Sequence, residues 1–228
     1  MKLDHLALDI ETVPAAPLEA YSATVQDKIQ QKLERIQERR PEMDFDYFAS
    51  THGDFGQIIC ISVGYINQDL TIHLKSFFGE DEKQILEGFN QLIAHFNGVF
   101  IHYNGLTFDV PFILQRMAYH RIQPSNNRFG ELRRYQREPH FDVMLQYYNW
   151  DMSRALPLGI LAELHQIPSP KEDLSGDQVF QAYQKGEWAK IVRYCEFDVA
   201  TTLNLWHKIF RYQDPLPIEN YRFSQAGT

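Results

Sequence analysis

The chain is short of cysteine, of long apolar runs and of positive charge, and each shortage removes a class of protein. Two cysteines in 228 residues are too few for a disulfide framework. Cys60 in an apolar run and Cys195 on an expected helix are likewise too few and too apolar in context for a zinc site. Both are read as buried free thiols of a reducing compartment. No apolar stretch reaches the roughly 18 residues of a membrane helix, and Met1-Lys2-Leu3-Asp4-His5 lacks the basic start and apolar run of a secretory signal. A soluble, cytoplasmic protein is expected. The phosphate-cradling patterns Gly-x-x-x-x-Gly-Lys and Gly-x-Gly-x-x-Gly are missing, which leaves a nucleotide-sensing regulator without support. There is no internal repeat and no low-complexity block. A formal net charge of −8 argues against a protein that coats nucleic acid through a broad basic surface.

With 44% hydrophobic and 14% aromatic residues the chain reads as globular, and its length suits one α/β domain. Leu6–Ile10 is an expected short buried strand, and Ile58–Ile66 and Leu70–Phe77 form an expected hairpin around Asn67 and Asp69. Between Asp81 and Phe96, apolar residues recur at helical spacing, and Gly98–Tyr103 returns as a strand. A helix follows from Phe108 to about His120, with Pro111 at a tolerated early position. His140–Met144 is read as a fifth short strand, ahead of helices over Leu158–His165, Gly176–Lys185 and Glu187–Phe210. Residues 14–56 read as a charged, partly helical insertion in which Asp27–Arg40 has little apolar stripe. The tail over 213–228 reads as extended and poorly packed.

Four carboxylates stand in three separated islands: Asp9 and Glu11 at the end of the first strand, Asp109 in Tyr103-Asn104-Gly105-Leu106-Thr107-Phe108-Asp109, and Asp198 in Tyr194-Cys195-Glu196-Phe197-Asp198. Strand alternation puts Asp9 and Glu11 on one side, and an i to i+4 interval puts Tyr194 and Asp198 on one helix face. The seam Val192, Cys195, Val199, Leu203 and Trp206 would pin that helix to the sheet. Like charges gathered out of water raise one another's pKa unless a cation neutralises them, so a fold that collects these four makes a divalent-metal site.

The order and setting of the islands resemble the DEDD superfamily of 3′-to-5′ exonucleases, in particular the exonuclease domain of family B DNA polymerases and its stand-alone bacterial relatives. The resemblance runs from about Leu6 to about Phe210. It implies an α/β, ribonuclease H-like fold, a mixed five-stranded sheet flanked by helices, in one exonuclease domain over 1–228, too short to carry a polymerase as well. It also implies two Mg²⁺ or Mn²⁺ ions. Asp9 would bridge both ions, Glu11 and Asp198 would complete the nucleophile side, and Asp109 would support the leaving-group side. The superfamily divides by a tyrosine four residues, or a histidine five residues, before the last aspartate. Tyr194 and Arg193 occupy those slots here, which is the tyrosine branch, and the Tyr194 hydroxyl would position the attacking water.

Asn104 and Phe108 match the second-island pattern of proofreading domains and would contact or wedge the terminal nucleotides as an exposed aromatic does. Lys171, ahead of Asp173-Leu174-Ser175-Gly176, resembles a phosphate-holding position of the stand-alone relatives. The implied activity is release of nucleoside 5′-monophosphates from single-stranded DNA 3′ ends. Alternatives are a 3′-to-5′ exoribonuclease, since nothing here reads a 2′-hydroxyl, and a non-catalytic nucleic-acid-binding module or polymerase accessory. The acidic balance is compatible with a partner polymerase or repair complex that delivers substrate. Asp142 is the best rival carboxylate, with a helix cap or ion pair as its favoured role. Arg133, Arg134 and Arg137 line either the substrate path or a solvated face. Phe45, Tyr47 and Phe48 pack the insertion or touch nucleic acid, with packing favoured, and the nine histidines show no ligand spacing.

Overall fold

The computed structural model describes residues 3–168 and 176–224. Its elements run β1 (His5–Pro14), α1 (Ala23–Gln37), α2 (Phe45–Ser50), β2 (Gly56–Ile66), β3 (Ile72–Phe78), α3 (Glu82–Ile93), β4 (Val99–His102), α4 (Asp109–Tyr119), β5 (His140–Asp142), α5 (Val143–Tyr147), α6 (Leu158–Leu164), α7 (Val179–Gln184), α8 (Trp188–Arg211) and β6 (Tyr221–Arg222). Among the described residues six strands form one mixed sheet, ordered β5-β4-β1-β2-β3-β6. β1, β2 and β3 are antiparallel neighbours, while β4 runs parallel to β1, β5 to β4 and β6 to β3. No described helix is long and apolar enough to cross a membrane.

Alternation along β1 divides the molecule. Leu6, Leu8 and Ile10 point to one face, where they join Ile85, Leu86 and Phe89 of α3 and Val110, Ile113 and Met117 of α4 in one buried cluster. Ala7 and Val13 point to the other face, among residues of α7 and α8. Asp9 and Glu11 lie on this second parity and therefore face α8. The strand is longer than its apolar run because β2 pairs with it as far as Pro14↔Gly56, with an irregularity between Glu11 and Thr12. The helix α8 lies across β1, β2 and β3, and its seam residues Val192, Cys195, Val199 and Leu203 are fully buried. Gly64 permits this approach: a Cβ there would meet Val199 Cγ1 at 2.9 Å and Leu74 Cδ2 at 2.8 Å.

Three expectations are corrected. The helix α1 does carry an apolar stripe: Ile29 and Leu33 are buried with Met43 and Phe48, and Val25 and Ile36 pack against them. Spacings of four, four and three residues among long charged side chains hid that stripe. The same cluster settles Phe45 and Phe48 as packing residues, whereas Tyr47 is exposed. The tail is packed up to the last described residues: Leu216 and Tyr221 are buried, and β6 adds the sixth strand. The fully buried Asn204 of α8 fixes it, donating to Leu216 O at 3.0 Å and Tyr221 Oη at 2.7 Å while its own carbonyl accepts from Leu216 N at 2.8 Å. The fifth strand ends at Asp142, two residues earlier than expected, because that carboxylate caps α5 by accepting from Leu145 N at 3.1 Å.

Candidate active site

The register of β4 creates the opening for the site. Its pairing with β1 ends at Ala7↔Ile101, so the edge of β1 beyond that point is free of β4. There the Ile10 amide donates to Asp109 Oδ1 at 3.2 Å. Asp109 is the first residue of α4 and only 4% exposed. The turn that delivers it is held from beneath by Asp142, which accepts from Asn104 N at 3.0 Å and Leu106 N at 3.1 Å. Asn104 sits at φ 68°, a left-handed position that asparagine tolerates better than most residues. Asp142 thus serves as cap and turn anchor, the structural role its sequence context favoured.

From the opposite side α8 brings Tyr194, Cys195 and Asp198. The Cys195 thiol donates to Asp9 Oδ2 at 3.5 Å, and ligand atoms of Asp9, Glu11 and Cys195 all lie within 4.8 Å of one another. The four carboxylates act on each other electrostatically. Burial raises Asp9 well above the ordinary carboxylate range, and Asp109, Asp198 and Glu11 push it further. Burial, followed by Asp198, raises Glu11 in the same way. Asp109 is raised to about 7, by burial first; the backbone amide of Ile10 and its own opposes the rise, while Asp142 and Asp198 add to it. Burial together with Asp198, Glu11 and Asp9 drives the Tyr194 phenol far above its usual range, so it stays protonated at any physiological pH. Its hydroxyl abuts Gly176, where a Cβ would lie 4.0 Å away.

The structure therefore brings together Asp9, Glu11, Asp109, Asp198 and Tyr194 from β1, α4 and α8. Among the described residues the charges that act on Asp9 are those of Asp109, Asp198 and Glu11, all negative, and such a cluster of carboxylate oxygens fits hard divalent cations such as Mg²⁺ or Mn²⁺. Asn104 and Phe108 stand on the turn before Asp109, with Phe108 half-buried and its ring 5.6 Å from that of Phe112. Arg133, Arg134 and Arg137 are exposed, Arg133 pairing with Glu131 at 2.7 Å. Lys171 lies outside the described residues.

Sequence reasoning missed two neighbours of the site. Cys195 precedes Asp198 by three residues, an interval that shares a helix side. Cys60 stands directly across from Glu11 in the β1–β2 register, which no sequence pattern reveals.

A mixed sheet whose central strand carries paired acids beneath a C-terminal helix is the ribonuclease H-like arrangement. Within it, the chain belongs to the family described as predicted 3′-5′ exonucleases related to the exonuclease domain of PolB, whose model matches residues 48–227. The match begins beyond Asp9 and Glu11, so their membership of the site rests on the geometry above. The fold is similar to that of the family B DNA polymerase from the hyperthermophilic archaeon Pyrobaculum calidifontis, with a TM-score of 0.62 and 19% identity. That likeness covers 93% of this chain and 25% of the polymerase, so the chain spans a quarter of that protein's length. No curated protein matches the chain.

Proposed function

We propose that the chain, as one exonuclease domain over 1–228, removes nucleotides one at a time from the 3′ end of single-stranded DNA and releases nucleoside 5′-monophosphates. The observation that carries this reading is the convergence of Asp9, Glu11, Asp109 and Asp198 into one carboxylate cluster beside Tyr194. With two Mg²⁺ or Mn²⁺ ions bound, such a site gains a water deprotonated near neutral pH and charge compensation at the attacking and departing oxygens. Asp9, which feels all three other carboxylates, is assigned to hold both ions. Glu11 and Asp198 belong to the nucleophile side and Asp109 to the leaving-group side. Tyr194 orients the attacking water through its hydroxyl; a phenol held protonated by burial and negative neighbours is unsuited to act as the base. Asn104 and Phe108, on the turn into α4, are assigned to the terminal nucleotides. Lys171 is assigned to a phosphate.

The test uses 5′-labelled DNA and RNA single strands of one sequence, with Mg²⁺ or EDTA, and wild type beside Asp198→Ala. A ladder that shortens from the 3′ end of DNA, needs the metal and is missing in the variant is the expected result. Preferential shortening of RNA would move the substrate to the exoribonuclease class. No ladder on either strand from folded protein in Mg²⁺ would overturn the catalytic reading in favour of a binding module.

A further inference from the structure

Hydrolysis by hard oxygen-loving ions has no use for the thiol at the heart of the site. Cys195 is fully buried, and its sulfur stands 3.5 Å from Asp9 Oδ2. Glu11 is 7% exposed and is aimed at the same point, all three ligand atoms lying within 4.8 Å of one another. The influences on its carboxylate are burial and the neighbours Asp198, Cys60 and Asp109, with no hydrogen bond among them. A buried carboxylate without a donor is a costly arrangement unless a cation completes it.

The spacing bears on which cation. Tetrahedral Zn²⁺, with bonds of about 2.3 Å to sulfur and about 2.0–2.2 Å to oxygen, sets an S···O edge of about 3.5–3.6 Å. The Cys195 thiol donates to Asp9 Oδ2 and to Asp9 O at 3.5 Å each, and the side-chain separation accommodates that edge without movement of either residue. Mg²⁺ selects oxygen ligands and leaves a thiol alone, whereas Zn²⁺ and Co²⁺ accept thiolate sulfur and bind mixed sulfur and oxygen donors more tightly.

We propose that Cys195 makes the Asp9–Glu11 pair a three-ligand trap for thiophilic divalent cations, Zn²⁺ foremost, and that an ion seated there displaces the hard ion and silences the enzyme. Binding breaks the Cys195 S–H bond, releases its proton to solvent and forms a sulfur–metal bond; no oxidant is needed. The silencing rests on the exonuclease reading above, while the trap does not. Cys60 is the comparison thiol: it lies across from Glu11, acts on the Glu11 carboxylate and on the Cys195 thiol and contacts Ser62 Oγ at 3.6 Å, so the test replaces each cysteine separately.

The probe is Co²⁺ added to the metal-free full chain, because a thiolate ligand gives an intense near-ultraviolet sulfur-to-cobalt charge-transfer band that carboxylates alone do not. The band is expected in wild type and in Cys60→Ser, is expected to be lost in Cys195→Ser and Cys195→Ala, and is bleached when Zn²⁺ replaces Co²⁺. In a Mg²⁺-supported nuclease assay, the Zn²⁺ concentration that halves each protein's own rate should rise in Cys195→Ser by about tenfold or more, the scale that loss of a mere outer-shell partner already reaches. Co²⁺ bound by calorimetry without the band, or a band that survives both Cys195 substitutions, would overturn the trap. Should both of those variants unfold, Cys60→Ser decides alone, since Cys195 is then the only thiol in the chain. A band in wild type that has no nuclease activity in Mg²⁺ would keep the trap and sink the exonuclease reading.

Discussion

At the scale of single residues, the metal-free site works against the fold. Asp109 titrates near 7 in the folded chain and near an ordinary 3.8 when unfolded. Between those values the folded state binds more protons, so the stability Asp109 contributes is full below about pH 3.8 and is lost as pH rises through about 7. Asp9 and Glu11 are raised in the same direction. Thermal melts in EDTA should therefore show Asp109→Asn more stable than wild type at pH 8, by up to a few kcal/mol, with the gain shrinking toward pH 5. Mg²⁺ should stabilise wild type more than the variant at pH 8. An Asp109→Asn melt equal to or below wild type at pH 8 would contradict the assignment. Asp142 has a different duty: Asp142→Ala strands the amides of Asn104, Leu106 and Leu145, at a cost on the order of 2–4 kcal/mol. Its kcat should fall as the Asp109 turn loosens. Asp142→Asn, which keeps one accepting oxygen, should be milder in both readouts. The five residues gathered at the site were legible because each sat in a short local pattern on an element whose period was clear. Cys60 was not, since its position depends on strand register.

At the scale of elements, legibility followed the purity of the hydrophobic pattern. The apolar side chains of α3 and α8 recur without interruption, and the sequence places α8 within one residue of its bounds and α3 within three. The stripe of α1 was diluted by Gln, Lys and Glu, and the tail was masked by prolines, although Asn204 ties it to α8 through three hydrogen bonds. Replacing Leu33, 4% exposed within the α1–α2 cluster, by Asp should free α1 from α2. Limited proteolysis should then cut within 14–56 of this variant much faster than in wild type. Equal cutting rates would show that the cluster does not hold the insertion. Gly64→Ala should cost about 1–3 kcal/mol, because the added methyl meets Val199 and Leu74 closer than van der Waals contact. A denaturant midpoint unchanged from wild type would mean that α8 has slack over the sheet.

At the scale of the whole molecule, an acidic chain of net charge −8 with a clustered acidic site would, on the proposed function, need cations to admit a phosphate backbone. A mixed sheet and the packing of α8 on it were expected, the first from the family resemblance and the second from the apolar seam, whereas the strand order β5-β4-β1-β2-β3-β6 was not. The sixth strand was not, because two residues of β6 carry no periodicity to detect. Asp9, Glu11, Asp109 and Asp198 are proposed to form one divalent-cation site. Mn²⁺ titration of the metal-free protein, read by loss of the free-ion paramagnetic resonance signal, tests it most directly. Two ions are expected per wild-type chain, both weakened in Asp9→Asn, and one retained in Asp109→Asn. Wild-type protein that leaves the free-ion signal unchanged, or Asp9→Asn that binds as wild type does, would contradict it.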